Sequence, residues 1–350
     1  VAMTELLESP GNPSSLHSSG RRARRHVEES REKVARALGA KPAEVVFTAG
    51  GTEANNIAIK GIAWDVRDKD PRRTRIVASR VEHHAILDPI QWLVDADGFN
   101  VTWVDVTPEG QVVPEALRAA LGDDPSDVAL VSIMMANNEV GTLNNIASLV
   151  GVTSEFGIRF HTDAVQVPAW HDINFADLGV CAMTVSAHKV GGPHGVGALV
   201  ISRGCSVTPL IHGGGQERDV RSGTLDTAGI VGFATALEVA SSQRADAVSR
   251  VKELRDDLIA RVQQVIPEAR LNGSRDNRLP NNAHFTFPGC LGDSLLMLLD
   301  AQGVECSVGS ACNAGVPQPS HVLLAMGADA DSARCTLRFS LGHNSTQEDV

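Results

Sequence analysis

The stretch 180-VCAMTVSAHKVGGPHGVGALVIS-202 contains two apolar, β-branched runs of strand length on either side of a polar turn that carries Lys189. Such runs, bounded by glycine and proline, are typical of buried strands. Lys189 is the only lysine between Lys69 and Lys252. A lysine directly after a buried strand is partly desolvated, which lowers its pKa and frees the amine to form a Schiff base. An ordinary loop lysine is the alternative, but the scarcity of lysine and the polar neighbours favour a chemical role.

Apolar runs of strand length recur through the first part of the chain and alternate with helical patterns such as 84–97 and 113–122. Outward from Lys189, the further strand candidates are 158–164, 128–136, 100–106, 75–79 and 44–49. Strands that alternate with helices predict a mainly parallel sheet with helices on both faces. The fold class is therefore α/β, and residues 1–245 are predicted to form one large domain.

The pattern changes after residue 245. A charged amphipathic helix is predicted over 246–266, and shorter strands are predicted over 282–287 and 335–341. Fewer strands and a different spacing indicate a separate packing unit. We expect residues 246–350 to form a smaller α+β domain.

The bulk composition excludes several classes of protein. Of the 350 residues, 43% are hydrophobic and 21% are charged, as in ordinary globular domains. The net charge of −11 argues against a general nucleic-acid or anionic-membrane surface. The basic run 21–33 mixes acids and bases at helical spacing and predicts a solvated helix face.

No apolar stretch approaches the roughly 18 residues that a membrane helix needs, and no signal-peptide pattern opens the chain. The six cysteines form no CxxC pair, and Cys306 and Cys312 lack a further ligand at metal spacing, so no metal site is predicted. Free thiols in a reducing cytoplasm are the expectation.

Polar residues follow several strands, at the edge where open α/β sheets bind ligands. Gly51 and Thr52 lie between a strand and an amphipathic helix, where backbone N–H groups and the helix N-terminus favour a phosphate. His83 follows the next strand and is available for stacking or proton transfer. Asn138, within 136-ANNEVGT-142, offers an amide to a ligand. A turn or a helix cap is the structural alternative for each of them.

Asp163 ends an apolar strand, and burial of its charge is costly unless a cation such as a protonated ring nitrogen pairs with it. A phosphate site, a carboxylate for a pyridinium nitrogen and a Schiff-base lysine together describe pyridoxal 5'-phosphate. The glycines after Lys189 do not indicate a dinucleotide site, because the acidic residue that such a site needs is missing.

With these residues identified, the chain resembles the cysteine desulfurases of the NifS/IscS type. The motifs that carry the resemblance, in the family's order, are 47-FTAGGTEANN-56, 82-EHHAILD-88, 137-NNEVGT-142, 163-DAVQ-166, 186-SAHK-189, 213-GGGQERDVRSGT-224, 309-GSACNAG-315 and 338-RFSLG-342. The resemblance covers the chain from about Gly11 to His343. It implies the aspartate-aminotransferase-like fold, a homodimer, and conversion of L-cysteine to L-alanine with the sulfur left as a protein persulfide.

The resemblance also implies roles for individual residues. Lys189 matches the Schiff-base lysine, Asp163 the partner of the ring nitrogen, Gln166 the partner of the ring oxygen, and His83 the imidazole that stacks on the ring. The positions that match cofactor-binding residues around the phosphate are Gly51, Thr52, Ser186, His188 and, from the neighbouring subunit, Thr224. Asn138 matches a residue that contacts both the cofactor and the substrate, and Arg338 matches the residue that holds the substrate carboxylate.

Cys312 matches the nucleophile that carries the persulfide, and its setting among small residues suits a mobile sulfur carrier. Cys306 is expected to be a buried structural thiol. The family implies a sulfur-acceptor protein, either an iron–sulfur scaffold or a tRNA-thiolation enzyme. The alternatives are a selenocysteine lyase or other pyridoxal-phosphate lyase of the same fold, or a shortened, non-catalytic interaction protein.

Overall fold

The computed structural model describes residues 2–8, 11–309 and 318–350, and its centre is a seven-stranded sheet. In chain order the strands are β1 (Val45–Thr48), β2 (Arg75–Ser79), β3 (Asn100–Val104), β4 (Val128–Ser132), β5 (Phe160–Asp163), β6 (Ala182–Ser186) and β7 (Gly197–Ile201). Their order across the sheet is β1-β7-β6-β5-β4-β2-β3. β7 is antiparallel to both of its neighbours, and the other neighbouring pairs are parallel. The predicted, mainly parallel α/β sheet is confirmed, with most strands shorter than the sequence indicated.

Alternate residues of each strand face opposite sides of this sheet, and each side has its own apolar core. Val45 and Phe47 belong to one core, whereas Val46, between them, belongs to the other. In the same way, Val77 belongs to the first core and its neighbour Ile76 to the second. Since both faces are buried, the strands need apolar residues at every position, which explains their nearly continuous apolar sequences.

Helices cover both faces of the sheet. In chain order they are α1 (Ala2–Leu7), α2 (Ser18–Ala37), α3 (Gly51–Asn56), α4 (Ile62–Lys69), α5 (His84–Asp97), α6 (Pro114–Leu121), α7 (Ile146–Ser154), α8 (Phe175–Leu178), α9 (Thr227–Val265), α10 (Gly292–Asp300), α11 (His321–Ala325) and α12 (Ala330–Arg334). Helices α2, α6, α7 and the first part of α9 contribute to one core, and α3, α4 and α5 contribute to the other.

A second, antiparallel sheet follows in the chain, with β8 (Arg270–Leu271), β9 (Asn282–Thr286) and β10 (Thr336–Ser340) in the order β10-β9-β8. Its core includes Phe285 and Leu337 together with Ile259 of α9. The helix expected over 246–266 is the second part of α9, which begins at Thr227. Residue 246 therefore lies within a continuous helix, and the division into domains 1–245 and 246–350 stays a prediction.

The connection from β1 to α3 needs a glycine, and it places the start of α3 at the edge of the sheet. Gly50 has a φ of +142°, a conformation that side chains with a Cβ rarely adopt. On the facing strand, a Cβ at Gly197 would lie 2.8 Å from the carbonyl carbon of Gly50. The two backbones thus approach closely, and the first turn of α3 lies beside the ends of β6 and β7. The helix continues through a π-helical turn, Ile57–Gly61, into α4.

The expectation that all cysteines are free is wrong, because Cys181 and Cys205 form a disulfide. The antiparallel pairing of β6 with β7 places Cys181 opposite the end of β7, where Ser202 donates its backbone N–H to the Cys181 carbonyl. A turn closed by the Cys205 N–H and the Ser202 carbonyl then folds the chain back, which leaves the two Cα atoms 5.5 Å apart. The 24-residue separation in sequence gave no sign of this contact. Cys290, Cys306 and Cys335 are free thiols.

Within the described ranges, no helix combines the length and apolar character needed to cross a bilayer.

A buried ion pair joins α2 to β1 and to the loop 213–224. Two nitrogens of the Arg31 guanidinium donate to the carboxylate of Glu217 at 2.7 and 2.8 Å, and the Glu217 side chain is fully buried. The same carboxylate accepts the backbone N–H of Phe47 at 2.8 Å, and Arg31 also donates to the Val45 carbonyl. Most of the basic run on α2 is solvated as predicted, but Arg31 is 6% exposed and is a structural residue.

We expect Glu217→Ala to lower the free energy of unfolding by about 3–5 kcal/mol, because Arg31 loses its buried partner and keeps only Glu28, whose side chain is half exposed. Chemical denaturation followed by circular dichroism measures this loss. The control is Glu155→Ala, which breaks the ion pair between two exposed side chains, Arg118 and Glu155, and should leave the unfolding midpoint nearly unchanged. Equal, small effects of both variants would contradict a structural role for the buried pair.

Candidate active site

A cavity of about 590 Å³ lies where β5 and β6 end and α3 and α5 begin, with β10 on its far side. The sequence-predicted residues that line it are Gly51, Thr52, His83, Asn138, Asp163, Gln166, Ser186, His188, Lys189 and Arg338. They come from both sheets and from segments far apart in the chain. Cys312 lies outside the described residues. Thr224 is exposed and does not line this cavity.

Lys189 lies on a 3₁₀ turn, Ala187–Val190, that directly follows β6. Its amine opens into the cavity, and within the described residues it makes no hydrogen bond or ion pair. Burial lowers the pKa of the amine, the charge of Arg338 lowers it further, and Asp163 opposes both. A larger neutral fraction makes the amine a better nucleophile than an ordinary surface lysine.

Asp163 is the last residue of β5, and it is 6% exposed. One carboxylate oxygen accepts the side-chain N–H of Asn55 at 2.7 Å, and the other accepts the backbone N–H of Val165 at 2.9 Å. Burial raises the pKa of this carboxyl group, while those two hydrogen bonds and the charges of His83 and Lys189 oppose the rise. The carboxylate is therefore fixed in orientation and lies in a position where a cation would be strongly favoured.

His83 is the N-cap of α5, and its Nδ1 accepts the backbone N–H of Ala85 at 3.0 Å. In the neutral ring the proton is then on Nε2. Burial is the main cause that lowers the pKa of His83, with Asp163 opposing. A neutral imidazole that borders the cavity suits stacking and proton transfer, and it also serves as the helix cap that the sequence offered as the alternative.

The remaining predicted residues form one wall of the cavity near the start of α3. Ser186, at the end of β6, shares a hydrogen bond of 2.8 Å with Nδ1 of His188. Gly51 lies so close to Val165 that a Cβ there would come within 3.0 Å of the valine side chain. Thr52 is exposed in the first turn of the helix. Hydroxyl, imidazole and helix-terminal N–H groups together suit an anion.

Asn138 and Arg338 meet on the opposite wall. Arg338 donates from Nη1 to the backbone carbonyl of Asn138 at 2.7 Å. The buried Oδ1 of Asn138 and the buried Nε of Arg338 have no hydrogen-bond partner within the described residues. Unsatisfied buried groups are costly, so an unpaired amide oxygen and guanidinium N–H that line a cavity indicate a polar ligand.

A second cavity of about 870 Å³ adjoins the first one at Asn138, Gln166, His188, Lys189 and Arg338. Its other wall includes Met3 of α1 and Val239 of α9. Lys189 is therefore reached from two sides.

The sequence analysis missed several residues of this site. Asn55, Glu82 and Glu139 stand within or beside the quoted motifs, and only their burial in the fold distinguishes them from surface residues. Glu82 is fully buried, and its Oε1 accepts from the Ser79 hydroxyl and from the Met134 backbone N–H. Its Oε2 has no partner in the described part of the chain. Burial raises the pKa of Glu82 to about 8, and Asp163 contributes to the rise.

Glu139 and His321 were missed because their roles depend on contacts across the fold. Glu139 is 2% exposed, and burial raises the pKa of its carboxyl group to about 7. His321, at the start of α11, donates from Nε2 to the Glu82 carbonyl at 2.9 Å, and its ring meets that of His84 edge-on. Cys306, expected to be a buried structural thiol, is only half-buried and lines the cavity.

Nothing in the described residues groups three or more His, Cys, Asp or Glu side chains as a metal site would. The site thus consists of an unpaired amine, a fixed buried carboxylate, an imidazole and an anion-binding wall.

Comparisons with known proteins agree with this chemistry. The family model described as Aminotransferase class-V matches residues 1–350. The IscS-like cysteine desulfurase of Mycobacterium tuberculosis is 55% identical over 100% of this chain and 89% of its own, and the cysteine desulfurase IscS of Dictyoglomus turgidum is 47% identical over 99% and 86%. A solved NifS-like protein superposes with a TM-score of 0.91 at 36% identity, over 99% of this chain and 91% of its own. The chain belongs to the class-V aminotransferases and, within them, to the cysteine desulfurases of the IscS/NifS type.

Proposed function

We propose that this chain binds pyridoxal 5'-phosphate and converts L-cysteine to L-alanine, with the sulfur transferred to Cys312 as a persulfide. The observation that carries the proposal is the pair formed by Lys189 and Asp163. An amine with a lowered pKa and a buried, oriented carboxylate line the same cavity.

The residues present fit this cofactor. Asp163 is a buried carboxylate without a hydrogen-bonded cation in the described ranges, and a protonated pyridine nitrogen would supply one. Asn55, which holds Asp163 through its N–H, has a buried Oδ1 without a partner. The cavity volume of about 590 Å³ falls within the range of small-molecule sites.

Each of these cavity residues would have one role in holding the cofactor. Ser186, His188, Thr52 and the N–H groups at the start of α3 would hold the phosphate, and Gln166 would donate to the ring oxygen. When bound, the cofactor supplies an aldehyde for amines and an electron-poor ring that accepts the electrons released at the substrate Cα. Asp163 would keep the ring nitrogen protonated, and His83 would stack on the ring and hold a proton. Lys189 carries the cofactor and moves the Cα proton.

Arg338 and Asn138 would hold the substrate. The guanidinium of Arg338 has a buried, unpaired Nε–H, which suits a carboxylate, and the unpaired Asn138 Oδ1 would accept from an N–H donor of the substrate. A solved protein that is 34% identical over 97% of this chain, with a TM-score of 0.81, carries the description "SspA in complex with cysteine". That likeness supports L-cysteine as the substrate.

The sulfur transfer balances without another reactant. The Cys312 thiolate attacks the substrate sulfur, a sulfur–sulfur bond forms, and the carbon–sulfur bond of the substrate breaks. Its electron pair stays with the carbon fragment, which takes up protons and leaves as L-alanine. A protein with a thiol then receives the sulfur, and either an iron–sulfur scaffold or a tRNA-thiolation enzyme fits that description by family analogy.

A homodimer would complete the phosphate site. Thr224 is exposed and outside the cavity of its own chain, although its loop is tied to the start of α3 by the ion pair of Arg221 with Glu53 at 2.9 Å. An exposed hydroxyl on a loop rich in glycine and arginine suits a phosphate bound by a second copy.

Glu82 would affect the charge around the ring nitrogen of the cofactor. With its pKa raised to about 8 by burial, Glu82 is mostly protonated at pH 7 and leaves Asp163 as the carboxylate that faces the ring. Two ionised carboxylates there would repel each other.

We expect Glu82→Gln to reduce the fall in protein stability between about pH 5 and 8. A raised folded-state pKa means that the folded chain retains a proton that the unfolded chain, with a pKa of 4.5, has lost. The contribution of Glu82 to the free energy of unfolding of the wild-type protein therefore falls as the pH rises from 4.5 to about 8, and it is constant above that. Glutamine retains an oxygen for Ser79 and Met134 and does not titrate. Urea unfolding at several pH values tests this, and parallel pH profiles for the two proteins would contradict it.

Cys312→Ser should separate binding from sulfur transfer. The serine hydroxyl cannot hold a persulfide, so L-alanine release should fall at least about a hundredfold, while L-cysteine still changes the visible spectrum of the bound cofactor. Cys306→Ser is the matched control and should retain most activity. Fragment mass spectrometry after brief exposure to L-cysteine should place one extra sulfur on Cys312. A persulfide on Cys306, with Cys312→Ser still active, would refute the assignment.

Mixed dimers test Lys189 and Thr224 together. Lys189→Ala alone should abolish turnover, and Thr224→Ala alone should lower it at limiting cofactor. If Thr224 serves the partner's phosphate site, a mixed dimer has one site with both substitutions and one site with neither, so activity should return towards half of the wild-type value. Subunit exchange must be verified by native mass spectrometry with differently tagged chains. Exchange without recovery would contradict a shared site.

A further inference from the structure

Ser307, three residues before the segment 310–317 that contains Cys312, is attached to the cavity wall by Arg338. Ser307 and Arg338 form an antiparallel bridge, with N–H to carbonyl distances of 3.0 and 2.7 Å. Ser307 and Gly309 also line the cavity. The near flank of the segment is therefore fixed to the strand that carries the residue proposed to hold the substrate carboxylate.

The far flank is attached to the same wall by side chains. Ser320 donates its hydroxyl to Oε2 of Glu139 at 2.5 Å, and the same hydroxyl accepts the Leu323 N–H and caps α11. The next residue, His321, donates to the Glu82 carbonyl at 2.9 Å. Ser320 is 1% exposed, so this attachment is a buried one.

Glu139 meets both flanks with one carboxylate oxygen. A Cβ on Gly309 would lie 2.5 Å from Oε2, the atom that accepts from Ser320. The backbone of Glu139 is itself fixed, since its N–H donates to Asn137 Oδ1 and its carbonyl accepts from Asn282, both at 2.9 Å. A rigid, buried carboxyl group thus bonds to Ser320 and packs closely against Gly309, two residues that are 11 positions apart in sequence.

Glu139 also lies beside the charge of Arg338. Burial is the largest influence on the pKa of Glu139, and the Ser320 hydrogen bond, Arg338 and His84 oppose it. Conversely, Glu139 favours the charged form of Arg338. Because Arg338 donates from Nη1 to the carbonyl of Asn138, the residue before Glu139, the guanidinium group lies beside the backbone from which the Glu139 side chain starts.

We propose that Glu139 is a positioning residue for sulfur transfer, which anchors Ser320 by a hydrogen bond and packs against Gly309, so that both flanks of the Cys312 segment lie beside Arg338. The inference rests on the proposed function, because Arg338 defines where the substrate carboxylate lies. In the proposed function, L-cysteine binding requires the cofactor, Asn138 and Arg338, and not the Cys312 segment. Attack on the substrate sulfur requires, in addition, that the flanks place the segment at the correct distance, and it is this step that Glu139 serves.

The test compares L-cysteine binding with persulfide formation in the full chain loaded with pyridoxal 5'-phosphate. In Glu139→Ala, the L-cysteine concentration that gives half of the spectral change should stay within about threefold of wild type, whereas the single-turnover rate of Cys312 persulfide formation should fall at least about tenfold. Glu139→Gln retains an oxygen for Ser320 and should keep the transfer rate within about threefold.

Two further variants keep the test decisive if Glu139→Ala does not fold. Ser320→Ala removes the donor and should slow persulfide formation about tenfold. Asp329→Ala removes the comparable N-cap of α12, outside the cavity, and should not slow it. In cofactor-free protein, amide hydrogen exchange of the peptide that spans α11 should be faster in Glu139→Ala than in Glu139→Gln.

Unchanged transfer in both Glu139→Ala and Ser320→Ala would overturn the proposal. So would an equal loss in Glu139→Ala and Glu139→Gln, since that would assign the effect to charge and not to the attachment. An equal loss of binding and transfer would make Glu139 a substrate-binding residue. These failures differ from a failure of the proposed function, in which the wild-type chain itself would release no L-alanine from L-cysteine.

Discussion

The burial of one carboxyl group at the end of β5 constrains the whole site. Asp163 is held by two N–H donors, from Asn55 and from the Val165 backbone, and neither of them carries a charge. Such a carboxylate is stable in its ionised form only if a cation approaches it. The neighbouring strand end provides Lys189, and the α5 terminus provides His83, both with lowered pKa values. The arrangement therefore suits a cationic ligand better than an apolar one, in agreement with the proposed cofactor.

Much of this could be predicted from the sequence. The alternation of apolar runs and helices predicted the parallel sheet, and the polar residues after β5 and β6 met at one edge because parallel strands end together. Arg338 is different, since it comes from β10 of the other sheet and reaches the site through the bridge with Ser307. Local reasoning gives no reason to place it there, and the family resemblance supplied that assignment.

The features that the sequence did not reveal are contacts between distant residues. Glu217 looks like any acidic loop residue, yet it is buried because Arg31 lies opposite it across 186 residues of chain. Cys181 and Cys205 pair because two antiparallel strands bring them together. Glu139 and Ser320 meet only once both sheets are in place. Composition and spacing predict which face of a helix or strand is apolar. They give little information on which polar side chains will form a hydrogen bond or an ion pair with each other.

Helix α9 has a mechanical consequence for the enzyme. Its 39 residues span about 58 Å as one uninterrupted rod, with Leu237 packed in the core of the large sheet and Ile259 in that of the small one. Rotation of one sheet against the other would have to bend that rod along its length, because no break in the helix lies between Leu237 and Ile259. The helix therefore resists large rotations of one sheet against the other, and it transmits small displacements of the small sheet directly to the core of the large one.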